Sequence, residues 1–141
     1  MKEWTAAAVK GNIPVLTEDV DRELEALGCS PKARRQIDVA LDELLTNIAS
    51  YAYAPGTGDM TVQMRYHEAE KTVSLTFVDR GVPYNPLEHE DPDVTLAAAD
   101  RPIGGLGILM VKKMANSVVY TRGHNRNILK VVKNIVAPGG E

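Results

Sequence analysis

The sequence predicts an α/β fold of two layers, in which helices cover one face of a mixed, mostly antiparallel sheet. Between Ile37 and Ile48, apolar residues recur at the spacing of one helix face. Residues 60–66 and 73–78 instead alternate apolar and polar side chains, as half-buried strands do. Because both patterns occur close together in a short chain, we expect them to pack as layers of one domain.

The first elements are indicated mainly by the residues at their ends. Residues 5–9 form a short predicted strand, and the pair Ile13-Pro14 closes the segment that follows it. Thr17 is a suitable N-cap for a helix over about 18–27, which Gly28 would stop.

The next helix has the strongest start signal in the chain. Ser30 is a preferred N-cap residue, and Pro31 is favoured at the first helical position. The apolar stripe lies on this helix, which we expect to persist to about Tyr51 or Tyr53, before Pro55.

The second half of the chain predicts two hairpins separated by a long irregular segment. A turn at 68–71 joins the first two strands, and residues 80–103 lose all periodicity. The remaining predicted elements are a helix over 106–114, strands over 118–121 and 128–135, and a turn at 123–126.

Composition limits the classes of partner and compartment. The chain has 141 residues, so we expect a single domain over 1–141, and its net charge of −3 gives no electrostatic reason for a nucleic-acid partner. Cys29 is the only cysteine, which excludes an intramolecular disulfide and favours a reducing compartment. Neither a membrane-length apolar stretch nor a signal-peptide core occurs, so we expect a cytoplasmic protein without a membrane partner.

The first chemical motif is Glu43-x-x-x-Asn47 on the long helix. Residues four apart project from the same side, here at the margin of the apolar stripe. An amide oxygen suits a magnesium ion that keeps phosphate oxygens and water, and a carboxylate can accept a proton from an attacking hydroxyl. Taken alone, the motif fits an ordinary solvated polar pair better than a catalytic site.

The second motif, Asp79-x-Gly81-x-Pro83, follows the end of a predicted strand. A carboxylate at that point can accept a hydrogen bond from the exocyclic amine of adenine, and Gly81 would let backbone approach a flat base. All three residues also favour plain turns, so this motif taken alone favours an ordinary turn.

The third motif is Gly104-Gly105-Leu106-Gly107, immediately before a predicted helix. Converging backbone N–H groups and the positive end of a helix form a natural phosphate site. Arg101, just upstream, could contact a terminal phosphate, although a flexible loop with a surface arginine would have the same sequence. The residues that define a P-loop are absent.

Together these motifs resemble the nucleotide-binding domain shared by Hsp90, DNA gyrase B, MutL and histidine kinases, which has the Bergerat-type fold. In order, they look like that superfamily's N box, G1 box and G2 box. Within it, segments 40–47, 105–114 and 127–133 are very similar to the anti-sigma-factor serine kinase family, and the resemblance covers nearly the whole chain.

The resemblance implies an ATP-dependent serine kinase that requires magnesium. Members of this family phosphorylate a serine of a small STAS-type anti-anti-sigma protein, bind a sigma factor, and often act as homodimers. By position, Glu43 would be the catalytic base and Asn47 the magnesium ligand.

The remaining roles are implied in the same way. Asp79, Gly81 and Pro83 would form the adenine part of the site, and Arg101 with residues 104–107 would hold the phosphates. A lid over ATP would extend from about 88 to 103. Two positions depart from the family pattern: Asn116-Ser117 replaces an acidic pair, and Lys130 occupies a last-strand position where a threonine near adenine is common.

Two other functions remain open from the sequence. The domain could be a non-catalytic module that uses ATP only to gate a protein partner, although Glu43 favours an enzyme. It could also be the ATPase core of a histidine kinase, but His67, His89 and His124 fall in a predicted strand, lid and turn rather than in a phospho-accepting helix. The protein substrate, the sigma factor and the signal sensed are not encoded in these patterns.

Overall fold

The protein has the predicted two-layer architecture, seen here in a computed structural model that describes residues 1–88 and 105–136. The five described strands form one sheet in the order β1-β2-β3-β5-β4, and every neighbouring pair is antiparallel. They are β1 (Lys2–Ala7), β2 (Asp59–His67), β3 (Thr72–Asp79), β4 (Ser117–Gly123) and β5 (Arg126–Asn134). Within residues 1–88 and 105–136 the sheet is therefore antiparallel, whereas the sequence predicts a mixed, mostly antiparallel one.

Three α-helices accompany the sheet in the described part of the chain: α1 (Ile13–Ala26), α2 (Pro31–Asn47) and α3 (Gly105–Met114). Short 3₁₀ turns occupy Lys10–Asn12 and Pro86–Glu88. None of the described helices combines the length and the apolarity needed to cross a bilayer.

Helix α2 begins as its sequence predicts. The Ser30 side-chain oxygen accepts a hydrogen bond from the backbone N–H of Ala33 at 3.2 Å, with Pro31 as the first helical residue. Its regular turns end at Asn47, and a π-helical turn over Ile48–Ala52 continues the chain. Such turns are uncommon and frequently lie at functional sites.

The start of α1 corrects the sequence prediction. The helix begins at Ile13, so Thr17 lies within its second turn and is not the N-cap. Pro14 is at the second helical position, where its fixed φ and missing N–H are tolerated, and so it does not act as a break. Gly28 has a φ of +75°, which fits its predicted role in stopping this helix.

The predicted hairpin turns are both present. Lys71 has a φ of 56° in the turn between β2 and β3, while His124 and Asn125 have φ values of 54° and 61° between β4 and β5. Two consecutive residues with positive φ match the right-handed twist of the flanking strands. These turns join β2 to β3 and β4 to β5, whereas the β3–β5 pairing forms between strands that are not consecutive in the chain.

The core lies between the helices and one face of the sheet. The α2 stripe is fully buried at Ile37, Leu41 and Leu45, and β2 and β3 contribute Val62 and Leu75 from the opposite layer. Burial of side chains this size stabilises the fold by roughly 1.5–3 kcal/mol each. The core therefore holds the last turn of α2 firmly against the sheet.

Two carboxyl groups, those of Asp21 on α1 and Asp38 on α2, lie next to each other between the two helices. Asp38 is hydrogen-bonded to Asp21, and the Oδ1 atoms of both are buried without a hydrogen-bond partner. Burial, followed by the hydrogen bond and the negative charge of Asp21, raises the pKa of Asp38 to about 7, while Arg34 opposes the shift. Asp38 therefore keeps its proton well above the pH at which an exposed aspartate ionises.

This pair makes stability depend on pH. Unfolded Asp38 releases its proton near pH 4, whereas folded Asp38 keeps it until about pH 7, so the free energy of unfolding falls between those values. We expect Asp38→Asn to be more stable than the wild type at pH 8, by about 1–2 kcal/mol after discounting for solvent screening. The two should be similar near pH 4.

Urea unfolding across pH 4 to 8 measures this difference. Asp42→Asn on the exposed side of α2 is the matched control and should retain the wild-type slope. Equal slopes for Asp38→Asn and the wild type would show that the pair does not carry the pH dependence.

Candidate functional site

A cavity opens where the end of α2 and the π turn meet the sheet. The empty space between its walls is about 470 Å³ when the open solvent at its mouth is included. Most of its wall is aliphatic or aromatic, and the amide and carboxyl groups are those of Asn47, Asp79 and Asn127. An apolar cleft with a few convergent polar groups suits a flat, partly polar ligand.

Asp79 is the carboxylate in this cavity. It lies at the end of β3 with 7% of its surface exposed. Its Oδ1 atom accepts hydrogen bonds from the Gly81 N–H and the Asn127 Nδ2, both at 2.9 Å. Within the described part of the chain, Oδ2 has no such donor, so it is the oxygen available to a ligand amine.

Gly81 is required for a contact within the protein. A Cβ at this position would overlap the carbonyl oxygen of Ala52 in the π turn, and the next N–H, that of Val82, donates to the same oxygen at 2.9 Å. The sequence motif predicts that Gly81 makes room for a base. In the structure, Gly81 also lets the loop after β3 approach the end of the π turn, and its role toward a base stays a prediction.

Asn127 is a site residue that the sequence motifs do not identify. It is directly opposite Asp79 in the β3–β5 register and is 5% exposed. Its Nδ2 donates to Asp79 and to the Val82 carbonyl, while its Oδ1 accepts from the Tyr84 N–H and the Tyr120 hydroxyl. One amide therefore fixes both the carboxylate and the loop beside it.

Lys130, assigned from the sequence to the last-strand position where the family often has a threonine, does not line the cavity. Lys130 is opposite Thr76 and is exposed. Side chains alternate between faces along a strand, so Asn127, Leu129 and Val131 face the helices while Lys130 faces away from them. Only the register across the sheet would have identified Asn127.

We expect Asn127→Ala to destabilise the protein by about 2–4 kcal/mol. The substitution removes four hydrogen bonds and leaves the buried Asp79 with one fewer donor. Urea unfolding measures the loss. Asn116→Ala is the control because it removes a single exposed hydrogen bond, the one donated by the Asn134 N–H. If Asn127→Ala lost no more free energy of unfolding than this control, the hydrogen bonds of Asn127 would not stabilise the fold.

Glu43 and Gly107 meet beside the cavity. A Cβ on Gly107 would overlap the Glu43 Oε1 atom, so the glycine leaves the space that the carboxylate occupies. Burial raises the pKa of Glu43, and the nearby Asp42 adds to the shift. The first and third sequence motifs are therefore in direct contact.

Asn47 and Tyr84 connect this contact to the cavity. Asn47 follows Glu43 by one helical turn, lines the cavity, and makes no cap hydrogen bond to the π turn. The pKa of Tyr84 is raised by burial and then by the negative charge of Glu43, which places phenol and carboxylate near each other. The donor set around this point is one amide oxygen and one carboxylate, which fits a magnesium ion held mainly by phosphates and water.

The other predicted site residues have varied positions. Pro83 is exposed and does not line the cavity, although Val82 and Tyr84 beside it do. Gly105 and Leu106 open α3, so their backbone forms its N-terminus. Arg101, Gly104 and nearly all of the lid predicted for 88–103 lie outside the described residues.

Comparison with known proteins identifies a matching family and a similar relative. The family described as the histidine kinase-like ATPase domain matches residues 6–133. The serine/threonine-protein kinase BtrW of Bordetella bronchiseptica is 26% identical over 105 residues, which are 74% of this chain and 73% of the relative.

Solved structures share the fold at low sequence identity. The RsbU and RsbW domains of Rv1364c from Mycobacterium tuberculosis align with a TM-score of 0.64 and 12% identity over 98% of this chain, but over only 34% of theirs. The histidine kinase domain of the Erythrobacter litoralis EL346 blue-light activated histidine kinase gives 0.50 and 19% over 73% of this chain and 45% of its own. This chain thus spans less than half of each solved protein.

The fold, the cavity and the sequence match therefore agree over almost the whole chain. The antiparallel sheet covered on one face by helices has the architecture of the RsbW-containing structure. The family match includes α1, α2, α3 and the described cavity. The chain belongs to the histidine kinase-like ATPase domain family.

Proposed function

We propose that the protein is an ATP-dependent serine kinase and anti-sigma regulatory factor, which phosphorylates a STAS-type anti-anti-sigma protein and binds a sigma factor. The observation that carries the enzymatic part is the position of Glu43. Its carboxylate lies against Gly107 at the start of α3, one turn from the cavity-lining Asn47. This position supports a role for the Glu43 carboxylate as the base near the phosphate end of a bound nucleotide.

ATP would be recognised at both ends of the cavity. Asp79 Oδ2 would accept a hydrogen bond from the adenine amine, while the apolar wall packs on the ring. The backbone N–H groups of 104–107 and the guanidinium of Arg101 would hold the phosphates at the N-terminus of α3. Asn47 would hold magnesium, which neutralises phosphate charge when bound.

The residues of this chain would then position and deprotonate the substrate. The serine oxygen attacks the terminal phosphorus, ADP leaves, and the serine proton passes to Glu43. A raised pKa suits this role because proton acceptance is most effective when the base titrates near the working pH.

Relatives support the choice of substrate class. The matched curated relative is named a serine/threonine-protein kinase, and one structural neighbour contains an RsbW domain. With the sequence resemblance described above, these similarities favour a protein serine as acceptor and a sigma factor as second partner. A single domain over 1–141, a lid over 88–103, cytoplasmic location and homodimer formation are parts of the same proposal.

The alternatives are less consistent with the site. A binding switch has less need than a kinase for a carboxylate in the space that Gly107 leaves. A histidine kinase core would need a phospho-accepting histidine on a helix. Of the described histidines, His67 is in β2 and bonded to Ser74, and His124 is in a hairpin turn.

The test is phosphoryl transfer from labelled ATP in the presence of magnesium. The purified chain is mixed with each candidate STAS protein from the same organism, and label on a serine is expected for one of them. The serine-to-alanine form of that substrate is the control. ATP binding without transfer would favour the non-catalytic binding module. Absence of ATP binding would contradict the proposal that the cavity is a nucleotide site.

A further inference from the structure

A second concave surface lies on the outer side of the helical layer. It is an open groove between α2 and α3, away from the cavity wall. Its apolar floor is formed by Val39 and by Met110 with Met114. Val39 is 37% exposed and Met110 is 52% exposed, so the groove contains two large apolar side chains that are accessible to solvent.

The rim of this groove is positively charged. Lys32 and Arg35 border it on α2, and Lys113 borders it on α3. Among the described residues that line the groove, none is acidic. The groove therefore carries a local positive charge, although the net charge of the whole chain is −3.

The groove leads to the proposed base. Gly107 touches Glu43, while the groove pairs the earlier turns of α2 with the later turns of α3, so the two helices run antiparallel. At 1.5 Å per residue, Val39 lies about 6 Å and Arg35 about 12 Å along the axis from Glu43. A bound segment would therefore lie within a few turns of a serine at Glu43.

We propose that the groove between α2 and α3 docks an acidic amphipathic segment, helical when bound, of the protein whose serine is phosphorylated. The proposal rests on the kinase function proposed above. Apolar side chains of the segment cover Val39 and Met110, and its carboxylates pair with Lys32, Arg35 and Lys113. Methionines suit such a surface because they adapt to the shape of the partner, and complementary charge sets which partner docks.

A direct binding test does not require the natural substrate. The probe is a fluorescein-labelled peptide of about 14 residues, four helical turns, with Leu on one face and Glu on the other. A second peptide carries Lys in place of Glu. The variants are the triple charge reversal Lys32→Glu/Arg35→Glu/Lys113→Glu and the control Lys10→Glu/Arg65→Glu/Lys130→Glu, which has the same net charge but changes exposed positions elsewhere.

We expect the wild type and the control to bind the Glu peptide at least about tenfold more tightly than the Lys peptide, and the groove variant to reverse that preference. Met110→Gln should weaken both complexes by removing the apolar contact. Binding of a fluorescent ATP analogue should be equal in all proteins, which also shows that each is folded. Equal peptide preference in the groove variant and the control would overturn the proposal.

Phosphoryl transfer gives the second readout. The substrate here is the protein whose serine accepts the label. For this substrate, the groove variant should have a KM about tenfold higher and a nearly unchanged kcat, because the groove binds the substrate but takes no part in phosphoryl transfer. An unchanged KM would contradict docking at this groove even if transfer is confirmed. If no serine protein accepts label, the kinase proposal fails, and the peptide preference still decides whether the groove recognises acidic segments.

Discussion

Glu43→Gln should lower the rate of phosphoryl transfer by about 10²–10⁴-fold while ATP still binds. The glutamine amide has the size of the carboxylate and fits the space left by Gly107, but it cannot accept the serine proton. Substrate binding depends on other side chains, so kcat should fall with little change in KM. Single-turnover transfer of label and calorimetric ATP binding measure the two effects separately.

Asp42→Asn is the matched control for this experiment. It changes the neighbouring carboxylate on the exposed side of α2 and should retain transfer within about a few fold. Full transfer activity in Glu43→Gln would rule out Glu43 as the base, and loss of ATP binding would show that Glu43 belongs to the binding surface instead.

Gly107→Ala should produce a similar loss by a different route. Alanine favours a helix more than glycine does, yet its Cβ would overlap Glu43 Oε1 and force the carboxylate to move. We expect reduced kcat in a protein whose free energy of unfolding is little changed. Wild-type kcat in Gly107→Ala would show that the carboxylate has room to move without losing function.

Local signals in the sequence were sufficient for much of the fold. Ser30 and Pro31 fix the start of α2 through one side-chain hydrogen bond and one preset φ, and both effects depend only on neighbouring residues. The hairpin at His124 and Asn125 is similarly local. Helix starts marked by weaker signals were missed, as the position of Pro14 in α1 shows.

The site was only partly accessible to the same reasoning. Spacing along α2 places Asn47 on the cavity and Glu43 beside it, as the motif implies. Asn127 could not be identified from its neighbours, because its role depends on pairing with Asp79 across the sheet. The contacts of Gly81 with Ala52 and of Gly107 with Glu43 likewise depend on tertiary packing, which spacing along the chain does not report.

Asp79→Asn should weaken ATP binding by about 100-fold or more and leave the fold nearly intact. The side-chain oxygen of the introduced asparagine can still accept from the Gly81 N–H and from Asn127, so the internal network persists. The other position becomes an NH₂ group, which faces the adenine amine as donor against donor. Loss of a hydrogen bond to a charged group, with a polar group left unpaired, costs about 3 kcal/mol.

Calorimetric titration with ATP and magnesium measures the affinity, and urea unfolding without nucleotide measures the stability. Asp59→Asn is the matched control, since Asp59 is exposed at the start of β2 and its side chain does not line the cavity. The control should bind ATP as the wild type does. Wild-type affinity in Asp79→Asn would mean that the adenine amine does not reach this carboxylate.

Comparison with Asn127→Ala distinguishes two reasons why a variant would bind ATP less tightly: loss of a direct contact and loss of stability. If Asp79 contacts the ligand directly, Asp79→Asn should bind ATP less tightly but keep its free energy of unfolding, because only the oxygen that faces the cavity changes. Asn127→Ala removes the support of Asp79 and of Val82 together, so it should lose stability first and affinity as a consequence. Equal stability losses in both variants would instead assign Asp79 to the internal network alone, and the adenine contact would have to be sought elsewhere in the cavity.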